Sequence, residues 1–413
     1  MERESSLHRV TKGKFLKMYL THYGYLYRLM TDCLHSHEGE PNRYHLEDNL
    51  WTHTMLVFNG LNLFDPSLCY NGINISDVGN KVILTAALVH DYGKISRRQP
   101  NRKGDGVAFY GHGQAGTQFA AEVCHKLFGD DPDFGLILHC VTLLTSRHID
   151  AYQLKDKGNI EGFCNNSWFI TECFNRLLSA DEYGQITDDD NDRMKNPDLR
   201  SNQFTIAIQS LRECGVDPIL DLNREIYLNK DGSKLKEDDD INGCIFCGAP
   251  GVGKDYLALK LGFKIFSFDD IRVAEYIKEH PEAVDSCDPD TLYNEAYRWC
   301  NSNKVDLMAL LRNAIVEFRA INGTDAKIAI CNTSLTVKSR KQLFSLLKKI
   351  LGKTSKIGCK FIICNTKDYI ARDADRKEKT VKEHVINWMI PKMSIPTQRE
   401  GFHKVEVIWN DTE

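Results

Sequence analysis

Residues 244–257 read Cys244-Ile-Phe-Cys247-Gly248-Ala249-Pro250-Gly251-Val252-Gly253-Lys254-Asp255-Tyr256-Leu257. The first four residues are an apolar run of strand length, and from Tyr256 onward apolar residues recur at helical spacing. Between them, glycines let the backbone curl around an anion and a lysine closes the turn. Strand, glycine-rich turn and helix in this order suit a triphosphate, because backbone N–H groups converge on the phosphates and the lysine bridges the outer ones. The GxxxxGK spacing predicts a P-loop in which Gly248, Ala249, Pro250, Gly251, Val252, Gly253, Lys254, Asp255 and Tyr256 contact ATP or another NTP. The pattern calls for Ser or Thr after the lysine, as a magnesium ligand. Asp255 stands there instead: it can ligate magnesium, but it adds negative charge beside the triphosphate.

Downstream, apolar runs at 264–268, 327–331 and 360–364 read as further strands, separated by helical stretches such as 291–320. That alternation predicts an α/β fold with a parallel sheet. Asp269-Asp270-Ile-Arg272 follows the first of these strands. A carboxylate there is placed to accept a proton from an attacking hydroxyl. Asp269 is the preferred base, with Asp270 as its rival or a helix N-cap, and Arg272 is a candidate grip on substrate phosphate. The run Ala371-Arg372-Asp-Ala-Asp-Arg376-Lys-Glu-Lys reads as a charged helix of lid type, whose Arg372 and Arg376 would offset charge on the phosphates.

The upstream half has helical periodicity at 14–37, 50–58, 81–90, 114–127, 134–144, 167–180 and 203–228, with no convincing strand. Gly93 is expected to end a helix with positive φ. This half carries His53, adjacent His90-Asp91, Lys94, His112, His148 and Asp181. Imidazole and carboxylate together suit Mn, Fe, Co, Ni or Zn. Asp91 can bridge two ions. His53, His90 and Asp181 then complete one site and His112 and His148 the other, and a pair about 3.5–4 Å apart can hold a hydroxide and a phosphoryl oxygen. His139 is a rival to His148. Lys94 is either a phosphate neutraliser or a solvated helix-end lysine.

The chain has 413 residues, a net charge of −4 and 42% hydrophobic content, which fits two domains, or at most three, with proper cores and no global basic signal for nucleic acid. The division is expected at 1–235 and 236–413, with a polar linker over 229–242. The start, Met1-Glu-Arg-Glu, lacks the apolar region of a signal peptide, and no run reaches membrane-spanning length. Fourteen scattered cysteines suggest a reducing cytoplasm. Cys244 and Cys247 lack a second CxxC at zinc spacing, so a buried strand accounts for them better. Lys230-Asp231-Gly232 is one residue short of KxDG, which argues against a ligase.

Residues 45–190, through His53, His90-Asp91-x-Gly93-Lys94, Gly111-His112-Gly113, Arg147-His148 and Asp181, resemble the HD phosphohydrolase superfamily. Residues 242–390 resemble the 5′-hydroxyl polynucleotide kinases, through Gly248 to Lys254, Asp269-Asp270-x-Arg272, Cys331-Asn332-Thr333-Ser334 with Arg340 downstream, and Arg372 and Arg376. The resemblance implies an all-α metal-dependent domain followed by a P-loop kinase with a helical lid, the order of bifunctional end-healing enzymes. It implies four ligands (His53, His90, Asp91, Asp181) for one divalent metal (Mn, Ni, Co, Fe, Zn or Mg), with His112 and His148 on a second. In the kinase it implies ATP and Mg, Lys254 in phosphoryl transfer, Asp269 as base, Arg272 on the acceptor phosphate and Arg376 as clamp. The implied substrates are RNA or DNA ends carrying 2′,3′-cyclic, 2′- or 3′-phosphate or 5′-OH, with a separate ligase acting afterwards. A nucleotide phosphohydrolase with an NTP-sensing P-loop, and a strand-binding module without turnover, are the competing readings.

Overall fold

The computed structural model describes residues 11–37, 42, 45–104, 106–186, 197–221, 241–374 and 381–410. The chain divides into two compact units, Met1–Lys230 and Asp231–Glu413. Most of the expected linker, and Arg376, lie outside the described residues.

The first unit is helical: α1 (Lys12–Tyr23), α2 (Leu26–Thr31), α3 (Leu50–Gly60), α4 (Ile75–Val89), α5 (Lys94–Arg97), α6 (His112–Phe128), α7 (Phe134–Ala151), α8 (Lys157–Phe163), α9 (Trp168–Gly184) and α10 (Pro197–Glu213). Two ladders of two residues per strand, β1 (Cys69–Tyr70) with β2 (Ile73–Asn74) and β3 (Gln99–Pro100) with β4 (Val107–Ala108), were not expected. Helix starts follow capping chemistry. Asn49, Asn74 and Ser167 each accept a backbone N–H from the first turn of α3, α4 and α9, satisfying a donor that the helix leaves unpaired. Helices α4 and α7 are buried along almost their whole circumference, by Val78, Val82, Ile83 and Leu84 on one and Leu136 to Leu144 on the other. Apolar residues all round are what a central helix needs.

Three expectations are corrected here. The helix expected across 14–37 is broken between Tyr23 and Leu26. Helix α7 does not stop near 144 but runs to Ala151, so His148 sits within a helix. Gly93 has φ −62°, an ordinary right-handed value. Its need is space: a Cβ there would lie 1.9 Å from the His112 carbonyl oxygen, so a side chain would drive α6 off the His90-Asp91 corner.

The second unit holds a five-stranded, all-parallel sheet in the order β6-β7-β5-β8-β9, with β5 (Gly243–Cys247), β6 (Lys264–Phe266), β7 (Ile328–Cys331), β8 (Ile357–Ile363) and β9 (Lys404–Trp409). Its helices are α11 (Lys254–Lys260), α12 (Phe268–Glu279), α13 (Ala283–Ser286), α14 (Pro289–Ser302), α15 (Leu307–Asn322), α16 (Val337–Leu351), α17 (Thr366–Ala374) and α18 (Glu383–Met389). Strands β5, β7 and β8 are buried throughout, as strands covered on both faces must be. Cys244 and Cys247 lie in β5, with the Cys247 Sγ 3.7 Å from that of Cys359. The glycine-rich loop leaves the carboxyl end of central β5, where the chain order reverses and α/β sheets bind ligands.

Strand β6 ends at Phe266, earlier than expected, because the Ser267 side chain caps α12 by accepting from Asp270 N–H at 3.1 Å. Ser267, not Asp270, is therefore the N-cap. The helix expected over 291–320 is two, α14 and α15, separated at Lys304 with φ 52°. Strand β9 was not anticipated. Its Lys404-Val-Glu-Val pattern alternates inward valines with outward charges, and Glu406 faces and pairs with buried Lys360 on β8.

Candidate metal centre and phosphate loop

Five helical segments bring the upstream candidates together. His53 comes from α3, His90 caps α4, Asp91 follows it, His112 opens α6, His148 lies on α7 and Asp181 on α9. All six are buried, at 8% exposure or less. The two oxygens of Asp91 face different histidine pairs. Oδ1 is 3.0 Å from His112 Nε2 and 3.4 Å from His148 Nε2. Oδ2 is 3.3 Å from His53 Nε2 and 3.5 Å from His90 Nε2. Asp181 Oδ1 lies 3.0 Å from His53 Nε2 and 3.6 Å from His90 Nε2. His53, His90 and Asp91 form one group able to hold a metal ion, and Asp91, His112 and His148 another.

The outer ring nitrogens explain why the inner ones point inward. His90, His112 and His148 each donate Nδ1–H to a carbonyl, those of Ala87 at 3.0 Å, Phe109 at 2.8 Å and Thr145 at 2.9 Å. His53 Nδ1 faces the Gly184 carbonyl at 3.3 Å and Glu47 Oε1 at 3.2 Å. A proton held on Nδ1 leaves the Nε2 lone pair for an ion, the usual outer-shell device of metal histidines. Among the described residues, His53 Nε2, His90 Nε2 and Asp181 Oδ1 are buried and meet only one another and Asp91, at 3.0–3.6 Å, with no hydrogen bond of good geometry. Buried polar atoms are rarely left so, and an imidazole and carboxylate donor set fits a divalent first-row ion.

Burial alone would lower the His53 pKa, but the carboxylates of Asp181, Asp91 and Glu47 hold it well above the ordinary value. Burial would raise Asp91 and Asp181, yet both lie well below the carboxylate range, Asp91 through Lys94, His90 and His112, Asp181 through His53 and His90. Without an ion, this environment favours the protonated imidazole of His53. With its folded pKa raised, that contribution to stability is complete below about pH 6.5 and lost as pH rises through the elevated value. An ion requires the same lone pair, so it must displace the proton and affinity must rise with pH. Calorimetric titration with Mn(II) at pH 7.5, in buffers of different ionisation enthalpy, is expected to register release of about one proton per chain. Uptake without proton release would contradict this charge state.

Lys94 is 5% exposed, with Nζ 2.7 Å from Asp91 Oδ2; it is not a solvated helix-end lysine. It lines a cavity of about 610 Å³ together with Asp91, His112, His148, Asp181 and the exposed Tyr110. His139 lies apart. Its Nε2 meets Asn165 Nδ2 at 3.1 Å, and burial lowers its pKa to about 4. Nine residues from His148 on one helix, it is about half a turn out of phase and faces the core. The sequence reading missed Tyr152, which donates to Asp181 Oδ2 at 2.7 Å, and Glu47. Tyr152 sits one turn past His148, a spacing that could have flagged it. Glu47 lies in a loop and is brought in by Ile186 N–H, which donates to its Oε2 at 3.0 Å.

In the second unit, residues 248–253 form the turn between β5 and α11. Gly251 and Gly253 both have φ 82°, and a Cβ on Gly251 would lie 2.9 Å from the Tyr369 carbonyl, so glycine is required on both counts. Lys254 Nζ donates to the carbonyls of Gly248 at 3.1 Å and Ala249 at 2.8 Å, which keeps the ammonium over the loop. Asp255 and Tyr256 are exposed on the first turn of α11. Buried Cys331, at the end of β7, has its thiol pKa raised by burial and then by the Asp255 carboxylate. Gly248 N–H donates to Thr333 O at 3.0 Å and Phe268 N–H to Asn332 Oδ1 at 3.3 Å, so one strand end anchors both the loop and the start of α12. Arg272 donates to Asp269 Oδ1 at 2.8 Å and stacks over the Tyr297 ring. Arg372 donates to the Asn410 carbonyl at 3.0 Å, and Asn410 Nδ2 donates to Val252 O at 2.7 Å. Arg340, downstream of that strand end, is fully buried. No family model matches the chain, and no curated protein sequence matches it.

Proposed function

We propose that the protein heals broken nucleic-acid ends, the first unit hydrolysing a 2′,3′-cyclic or terminal phosphate and the second transferring the ATP γ-phosphate to a 5′-hydroxyl. The observation that carries the reading is Asp91, whose two oxygens are divided between two inward-facing histidine pairs at the edge of a cavity. Divalent ions held by His53, His90, Asp91 and Asp181, and by Asp91, His112 and His148, would supply Lewis acidity and an acidified water. The chain's own residues do the rest. Lys94 sets an ammonium beside Asp91 to offset phosphate charge. The cavity has the size of a nucleotide-scale ligand site, and Tyr110 offers a ring on which a base can stack.

In the second unit, Lys254 and the loop N–H groups would cradle the triphosphate, with Mg held near Asp255. Asp269 would accept the hydroxyl proton, while Arg272 holds that carboxylate and a substrate phosphate. The test is incubation of an oligonucleotide with a 5′-OH and a 2′,3′-cyclic phosphate with ATP and Mg or Mn, followed by analysis of both termini. A new 5′-phosphate and a free 3′ end are expected. Phosphate released only from free nucleotides would refute the proposal.

Asp255 favours a second reading, an NTP-sensing loop with weak transfer. A unit charge about 4 Å from the triphosphate is worth about 1 kcal/mol even in water, roughly fivefold. Asp255→Ser is therefore expected to tighten ATP binding about fivefold, read as a lower KM for ATP. Kinase activity seen only in the serine form would establish the sensing reading for the natural chain.

A further inference from the structure

Behind His53 lies a second group of donors. His35 is fully buried, and among the described residues neither of its ring nitrogens has a hydrogen-bond partner. Its nearest ion-pairing group is Glu47, with Oε1 3.7 Å from Nδ1. The same carboxylate oxygen lies 2.5 Å from His45 Nδ1. The rings of His35 and His45 are 4.4 Å apart at their centroids. His35, His45 and Glu47 each present a donor atom within 4.8 Å of the others, and none of them was singled out by sequence motif.

An imidazole that donates to nothing and accepts from nothing in a closed interior is costly unless something else takes its lone pair. The group is not walled off. The His45 side chain is 13% exposed, and His45 lines the cavity that Asp91, His112 and His148 also line.

We propose that His35, His45 and Glu47 form a third divalent-cation site, on the same cavity as the two sites sharing Asp91. Two imidazoles and one carboxylate are the donor set of Zn, Fe(II), Co, Ni or Mn. His35 supplies the buried ligand and His45 the one nearest the cavity. Glu47 ties the site to the first, because the oxygen it presents also faces His53 Nδ1 at 3.2 Å. Of the three only His45 lines the cavity, so an ion held here would be reached from that side, by a phosphate oxygen of the substrate. The inference rests on the metal-centre reading of this unit but not on the identity of the substrate.

The test is metal content of the full chain after equilibration with Mn(II) or Co(II) and removal of free ion, by elemental analysis. The wild type is expected to hold about three ions per chain. His35→Gln and His45→Gln are each expected to lose one, and the two substitutions together no more than one. His112→Asn, which touches only the site shared by Asp91 and His148, is expected to lose an ion that the double variant keeps. If His35→Gln does not fold, as judged by circular dichroism, His45→Gln on the cavity side decides. Two ions in the wild type, unchanged in either variant, would overturn the third site and leave the others standing. No ion at all would overturn the metal centre with it.

Discussion

On the proposed function, Asp91→Asn is expected to lower phosphoester hydrolysis by on the order of 10³-fold, because the ions that would stabilise developing charge lose their shared ligand. An amide has a single oxygen. If it faces His112 and His148, at the 3.0 and 3.4 Å positions, its NH₂ faces His53, His90 and Lys94. The reverse orientation spoils the other pair. Either way one histidine set meets a donor where an ion needs an acceptor, and the charge common to both sets is gone. Metal content must fall with activity, whereas ATP binding in the second unit must not. His112→Asn alters only one set and should cost less. Retention of activity within about tenfold in Asp91→Asn would remove Asp91 from the centre of the chemistry.

The sequence showed the identity of these groups better than their positions. Adjacent His90-Asp91 followed by Gly93 and Lys94 is a local pattern, and local patterns survive without coordinates. The assignment of His148 rather than His139 depends on where α7 ends. Continuous helix to Ala151 puts the two on opposite sides of one axis, which no spacing rule could decide while the helix was expected to stop near 144. Glu47 and His35 left no trace because they lie in irregular chain and are assembled by tertiary contact alone. In the second unit, three buried strands were legible as apolar runs, but β9 was not: an edge strand with one polar face resembles loop until its alternation is counted. Arg340 carries no local signal of its partner: it follows a strand end within a basic helix, and only the tertiary fold brings it to Glu400.

Glu400→Ala is expected to destabilise the second unit by about 3–5 kcal/mol, the cost of leaving a buried charge without its partner. Arg340 has no solvent exposure, and its Nε and one terminal nitrogen both donate to the Glu400 carboxylate at 2.8 Å, one to each oxygen. Its other terminal nitrogen donates to the Ser334 carbonyl at 3.3 Å. Burial would lower the guanidinium pKa, but Glu400 reverses this and raises it; with the carboxylate removed only burial remains, yet a guanidinium is too basic to lose its proton, so the cation is left unpaired. Glu400 Oε1 also accepts the Thr397 backbone N–H at 3.2 Å, closing the turn that leads into β9. The substitution therefore both strands an arginine and frees the entry to the last strand. Since Asn410, just past β9, holds the Val252 carbonyl of the phosphate loop, nucleotide affinity should fall together with stability. Arg340→Met combined with Glu400→Leu should restore most of the stability, because apolar replacement of a buried ion pair is often neutral or better. Thermal and denaturant unfolding of the three chains decides it. A small loss in Glu400→Ala, or a double variant no more stable than the single one, would mean that the pair does not hold α16 to the turn before β9.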